Sequence, residues 1–179
     1  MIPPPTLQDL LHELDRAHAY TDDLQAGLTP DQIAWRPSPE SSAIGWHLGH
    51  QGAVAHYMLR NLTAAEPRID PDIEALMDSA TPELQRGELP SLDRIRDYRG
   101  VVADRIRYRI GQIDEGAVGA PNQLRLIAST LLVALINHEY QHSKWIGELR
   151  RDVFALDAPP LPASPWLEII DDYVVLNPS

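Results

Sequence analysis

Four stretches of the chain place apolar residues three and four positions apart, the period of a helix with one buried face. The first carries Leu7, Leu10, Leu11, Leu14, Ala17, Thr21 and Leu24. Thr6 can cap it and Gly27 stops it, so the spacing predicts a helix from Thr6 to Ala26. The stretch LTPDQIAWRPSPESS that follows, with its three prolines, reads as a structured loop. A second helix is expected from Ser41 or Ser42 to about Asn61, with Ile44, Leu48, Val54, Tyr57, Met58 and Leu62 among its apolar positions. Residues 63–90, punctuated by Pro67, Pro71, Pro82 and Pro90, form a long connection with a short helix around Asp72 to Ser79. Long ordered connections often cover a site or an interface. A third helix starts after Ser91 and puts Ile95, Tyr98, Val102, Ile106, Ile110 and Ile113 on one stripe. A fourth runs from Asn122 to Phe154.

These elements predict an all-α fold, a four-helix bundle with a long crossover between helices two and three. Residues 1–156 would form the bundle. Residues 157–179 would be a proline-rich linker and an apolar tail, packed on the bundle or on a partner chain.

Composition narrows the function classes. The 179 residues suit one domain with a real core, and 44% of them are hydrophobic, too many for a disordered chain. The formal charge of −11 argues against a nucleic-acid surface, which needs clustered Lys and Arg, and against an anionic membrane surface. With no cysteine, disulfides and thiolate ligands are excluded, and any metal site must use His, Asp or Glu. No apolar run reaches about 18 residues, the length of a membrane span. The N-terminal stretch MIPPPTLQDLLHELDR lacks the basic-then-apolar order of a signal peptide, so a cytoplasmic location is expected.

Candidate chemistry lies in the histidines. On the fourth helix, Leu124, Ile127, Leu131, Leu135, His138, His142, Trp145 and Leu149 share a stripe. His138 and His142 interrupt it one turn apart, where two imidazoles can converge on one ion. Two histidines on an apolar stripe are hard to read as ordinary core residues, because each brings a donor and an acceptor that need partners. The second helix offers His47 and His50 within SAIGWHLGHQGAVAH, flanked by Gly45, Gly49 and Gly52. Repeated glycine in a helix costs stability and implies close packing of another backbone or a ligand. The spacing leaves both histidines as candidates.

HEYQH, residues 138–142, also fits the H-E-x-x-H pattern of zinc proteases. The metzincin continuation fails: Trp145 stands where Gly belongs and Glu148 where the third His belongs. Glu148 lies about 240° around the helix from His142 at the helical angle per residue. An H-E-x-x-H metallohydrolase is the least favoured reading.

Two segments together, SSAIGWHLGHQGAVAHYML and INHEYQHSKWIGEL, resemble the DinB-like superfamily of metal-binding four-helix bundles. The likeness is nearest to the DinB-like domain of ergothioneine-type sulfoxide synthases, which carries W-H-L-x-H on its second helix and H-E-x-x-H on its fourth. It covers most of residues 5–152. The resemblance implies a three-histidine metal site of His50, His138 and His142, and so selects His50 over His47. Three neutral imidazoles leave positions open for water or substrate. The implied cofactor is a divalent transition metal, zinc first, with nickel or iron as alternatives. Sulfoxide synthases use a second domain with a catalytic tyrosine, for which this chain has no room, so oxidative C–S bond formation is not expected of it alone. Other relatives are thiol-dependent S-transferases and a thiol-dependent isomerase. The implied function is therefore metal-dependent thiol transfer or isomerisation. The partners would be a small-molecule substrate and a low-molecular-weight thiol, and a homodimer is compatible. The alternative is a non-catalytic metal-binding or interaction module.

Glu139 and His47 are the candidates for a catalytic role. Glu139 points about 100° away from His138, so a general base or a hydrogen-bonding neighbour fits it better than a ligand, and a solvated or interhelical carboxylate is the simpler reading. Gln51 and Asn137 are weaker candidates for contacts behind the ligands. His12, His18 and His56 are expected at the surface or its boundary. The six arginines of RIRDYRGVVADRIRYRIG are expected to form a solvated face paired with Asp93, Asp97 and Asp104. Trp35, Trp46 and Trp145 are candidates for the walls of the site.

Overall fold

The computed structural model describes residues 3–63 and 66–177. Ala64 and Ala65 in the expected connection, Pro178 and Ser179 in the expected tail, and the first two residues lie outside the described set. The fold is all-α. Among the described residues the order is α1 (Leu7–Gln25), α2 (Pro30–Ala34), α3 (Ile44–Thr63), α4 (Pro71–Leu76), a 3-10 turn (Glu83–Gln85), α5 (Leu92–Asp114), α6 (Pro121–Asp152), β1 (Leu167–Ile170) and β2 (Tyr173–Leu176). The four long helices are the four expected, and their ends follow local chemistry. Thr6 and Asp9 form a reciprocal capping box at the start of α1, with backbone-to-side-chain bonds of 2.9 and 3.1 Å. Ser91 accepts from the Arg94 amide at 3.3 Å at the start of α5. Pro121 opens α6 at a position where its missing N–H costs nothing.

Two expectations change. The loop at residues 28–42 contains α2, because Thr29 and Gln32 make a capping box and Pro30 pre-sets the first turn. The tail forms an antiparallel hairpin in which Ile170 faces Tyr173. Asp171 and Asp172 sit between them at φ 49° and 67°, the two positive values that a type I′ turn requires.

The chain forms two compact units, one of residues up to Ala26 with Arg107 onward, the other Gly27–Ile106. In the first, α1 packs along α6 and β2 packs on α6. Leu10, Ala17 and Leu24 from α1 and Ala128, Leu132, Ile136 and Ile146 from α6 are fully buried. Arg150 donates to the carbonyls of Leu24 and Ala26 at 2.9 and 2.8 Å, satisfying the open end of α1. Leu176 of the hairpin is buried, and its amide donates to Asn137 Oδ1 at 2.6 Å.

In the second unit, α3 packs against α2 and α4. Its glycines are filled by side chains. A Cβ at Gly45 would lie 3.0 Å from Ile33, one at Gly52 would lie 3.1 Å from Arg99, and one at Gly49 would lie 2.5 Å from Met77. The connection supplies Ile73 and Met77 to this core, each essentially unexposed.

Candidate metal centre

The buried face of α6 keeps Leu131, Leu135 and Leu149 of the stripe read in the sequence but is centred to one side of it. Ile127 is 51% exposed, while Ala128, Leu132, Leu135, Glu139, Ser143 and Ile146 are buried. His138 and His142 flank this face and are half-buried. A helix apolar over more than one row of positions has two candidate stripes about 100° apart, and only the packing of α1 selects between them. The two imidazoles converge as their spacing predicts. Their Nε2 atoms are 3.1 Å apart, with ring centroids 4.5 Å apart and planes at 71°. Two imidazole nitrogens so close need a shared proton or a cation between them, since two lone pairs would repel.

Glu139 is 2% exposed. It accepts from Thr21 Oγ1 of α1 at 2.7 Å, and that hydroxyl lies 2.7 Å from Ser143 Oγ. His18 Nε2 lies 3.9 Å from its second oxygen. The interhelical alternative for Glu139 holds and the solvated one does not.

His50 is oriented by the connection. Its Nδ1 lies 2.8 Å from the Met77 carbonyl, which can only accept, so Nδ1 carries the proton and Nε2 keeps its lone pair. One residue earlier, the Leu76 carbonyl accepts from Trp46 Nε1 at 3.1 Å. The C-terminal end of α4, where carbonyls lack helical partners, therefore holds both rings. The rings stack on one another, centroids 4.4 Å apart and planes at 13°, and the Arg86 guanidinium lies 4.0 Å over the indole. Burial pushes the His50 pKa below the usual imidazole value. The Met77 bond opposes the shift and the Arg86 cation adds to it. The neutral ring is the form that binds a metal.

His138 and His142 present two ring nitrogens from one unit, and His50 presents one from the other. Nitrogens about 2.0–2.1 Å from a tetrahedral ion stand about 3.3 Å apart. The α6 pair already has that spacing, and the His50 tautomer presents the correct atom, so the donor set fits a divalent transition metal. His47 is outside the group; its ring meets Trp46 edge-on at 5.2 Å.

Other expectations shift. His12 is exposed and His18 half-buried, but His56 is 1% exposed, with Nδ1 2.9 Å from Glu74 Oε1. Burial lowers its pKa despite the carboxylate. Asn137 serves the hairpin. Gln51 accepts from Arg99, itself buried, at 3.1 Å. The arginines of α5 reach beyond the expected aspartates: Arg94 pairs with Asp70, Arg105 with Glu66 and Arg107 with Asp15, while Arg96 keeps Asp93. The Met77 carbonyl was not legible in the sequence. Gly49, one residue before His50, was its sole trace.

The fold defines an all-α class of protein, and its histidines are donors that suit a transition metal. Residues 13–146 match the sequence profile of the DinB superfamily, and the chain belongs to that superfamily. No curated protein matches the chain. Among the described residues no helix is long and apolar enough to cross a membrane.

Proposed function

We propose that His50, His138 and His142 ligate one divalent transition metal, zinc first and nickel or iron as alternatives, and that the protein is a metal-dependent thiol transferase or thiol-dependent isomerase. The observation that carries the reading is the His50 tautomer: a backbone carbonyl takes the Nδ1 proton and leaves Nε2 for the ion. A bound ion would supply Lewis acidity, lowering the pKa of a coordinated thiol or water. The chain's own part is to hold neutral imidazoles in place, through Met77 for His50 and through the helical turn for His138 and His142. With three protein ligands, a position stays open for the thiol. Kinship with the sulfoxide-synthase domain, a cytoplasmic setting and a low-molecular-weight thiol as partner belong to the same proposal.

Elemental analysis of protein purified without a histidine tag tests the centre. About one equivalent of one transition metal is expected, and less than about half would sink it. Thiol-dependent activity lost along with the metal in His50→Ala would support catalysis. Metal loss with every thiol-dependent reaction unchanged would favour a non-catalytic binding module. The hydrolase reading is disfavoured because Glu139, its general base, is buried against Thr21.

A further inference from the structure

A cavity of about 710 Å³ runs along α3 beside the end of α4, lined at one end by His50 and at the other by Arg60, Arg68 and Glu74. Between them Val54, Met58 and Met77 give it an apolar wall. Ten residues of helix separate His50 from Arg60, about 15 Å of axial rise. The far end carries two cations for one carboxylate: Arg60 Nη1 and Arg68 Nε lie 3.9 and 3.5 Å from the same Glu74 oxygen. Close charge-assisted bonds run about 2.7–2.9 Å, so neither guanidinium grips Glu74 tightly. The other Glu74 oxygen already accepts from His56 and from the Ile69 amide. That arrangement holds Glu74 in place and leaves a net positive end able to receive a second carboxylate.

We propose that this trough binds an elongated amphipathic carboxylate. Its apolar segment lies along Val54, Met58 and Met77, and its anionic group is taken by Arg60 and Arg68. If the metal centre serves thiol chemistry as proposed, the sulfur end of the same molecule lies at His50. The ligand class is then a thiol with a carboxylate about ten chain atoms away, the reach implied by the helical rise.

Calorimetry with undecanoate, undecanol, ω-mercaptoundecanoate and mercaptopropionate tests this on metal-free and zinc-loaded protein. Metal-free protein should bind undecanoate and not undecanol. Arg68→Gln should weaken undecanoate about tenfold, the value of one hydrogen bond to a charged group. Val54→Trp should abolish binding by filling the trough, with far-ultraviolet circular dichroism checking that the fold persists. Zinc should tighten ω-mercaptoundecanoate and leave undecanoate unchanged, and mercaptopropionate, too short to reach both ends, should bind more weakly than the long thiol. Equal binding of undecanol and undecanoate, or indifference to Arg68→Gln, overturns the carboxylate site. Undecanoate binding that depends on Arg68 with no gain from zinc for the long thiol leaves the trough standing and removes its link to the metal.

Discussion

His138 and His142 are held differently from His50, although the proposed centre draws on all three. The α6 pair owes its approach to the helix itself: any helix brings residues four apart onto one face. His50 owes its orientation to a carbonyl 27 residues away, presented by the end of a six-residue helix. The first arrangement survives wherever α6 stays helical. The second depends on Met77 seating in the notch left by Gly49, so a change in the connection disturbs one of the proposed ligands and spares the other two.

The contrast can be broken from either side. The largest effect is expected from His138→Ala combined with His142→Ala, which removes two ligands and should abolish stoichiometric metal binding by elemental analysis. Retention of a full equivalent would show that the ion, if any, sits elsewhere. Gly49→Val comes next. Its side chain would collide with Met77 at a site with no room, costing about 1–3 kcal/mol in a denaturant titration. It should also weaken metal about 10–100-fold by displacing the carbonyl behind His50. A stability loss with unchanged metal affinity would mean that the Met77 contact is structural alone. Thr21→Val leaves Glu139 without that donor and should cost about 1–3 kcal/mol, with metal content unchanged.

A smaller effect concerns pH. Burial holds His56 neutral below its usual value. Between its lowered native pKa and the unfolded value of about 6.5, the unfolded chain binds a proton that the native one does not. Stability of chelator-treated protein should therefore fall as pH drops through about 6.5, and His56→Gln should flatten that fall. An identical pH profile in the variant would remove His56 from the account. The smallest change is expected from Asn137→Ala, which removes one bond to the hairpin and should lower stability by about 1 kcal/mol, leaving metal content untouched.

Helix boundaries were legible within a few residues because their determinants are local: Thr6, Gly27, Ser91 and Pro121 act on the turn beside them. The hairpin was not, since WLEIIDDYVVL holds a turn of two aspartates that is allowed only when both take positive φ. His56 was placed toward the surface, and Glu139 was left between a solvated and an interhelical reading, for one reason. A charged or titratable side chain reads as exposed until its partner is known, and Glu74 and Thr21 are 18 and 118 residues away. The glycines announced a close approach, but what fills them, Ile33, Met77 and Arg99, comes from other elements.

By itself the sequence determined the all-α class, the order of the four long helices and the two-histidine face of α6, because helical period and capping act over a few residues. The resemblance of its motifs to a family singled out His50. Tertiary structure alone decided the rest: which stripe of α6 is buried, that Glu139 lies inside, and that Met77 fixes the proton on His50. Each depends on a group brought near by folding, and hydrogen bonds and packing act on distance in space, whatever the separation along the chain.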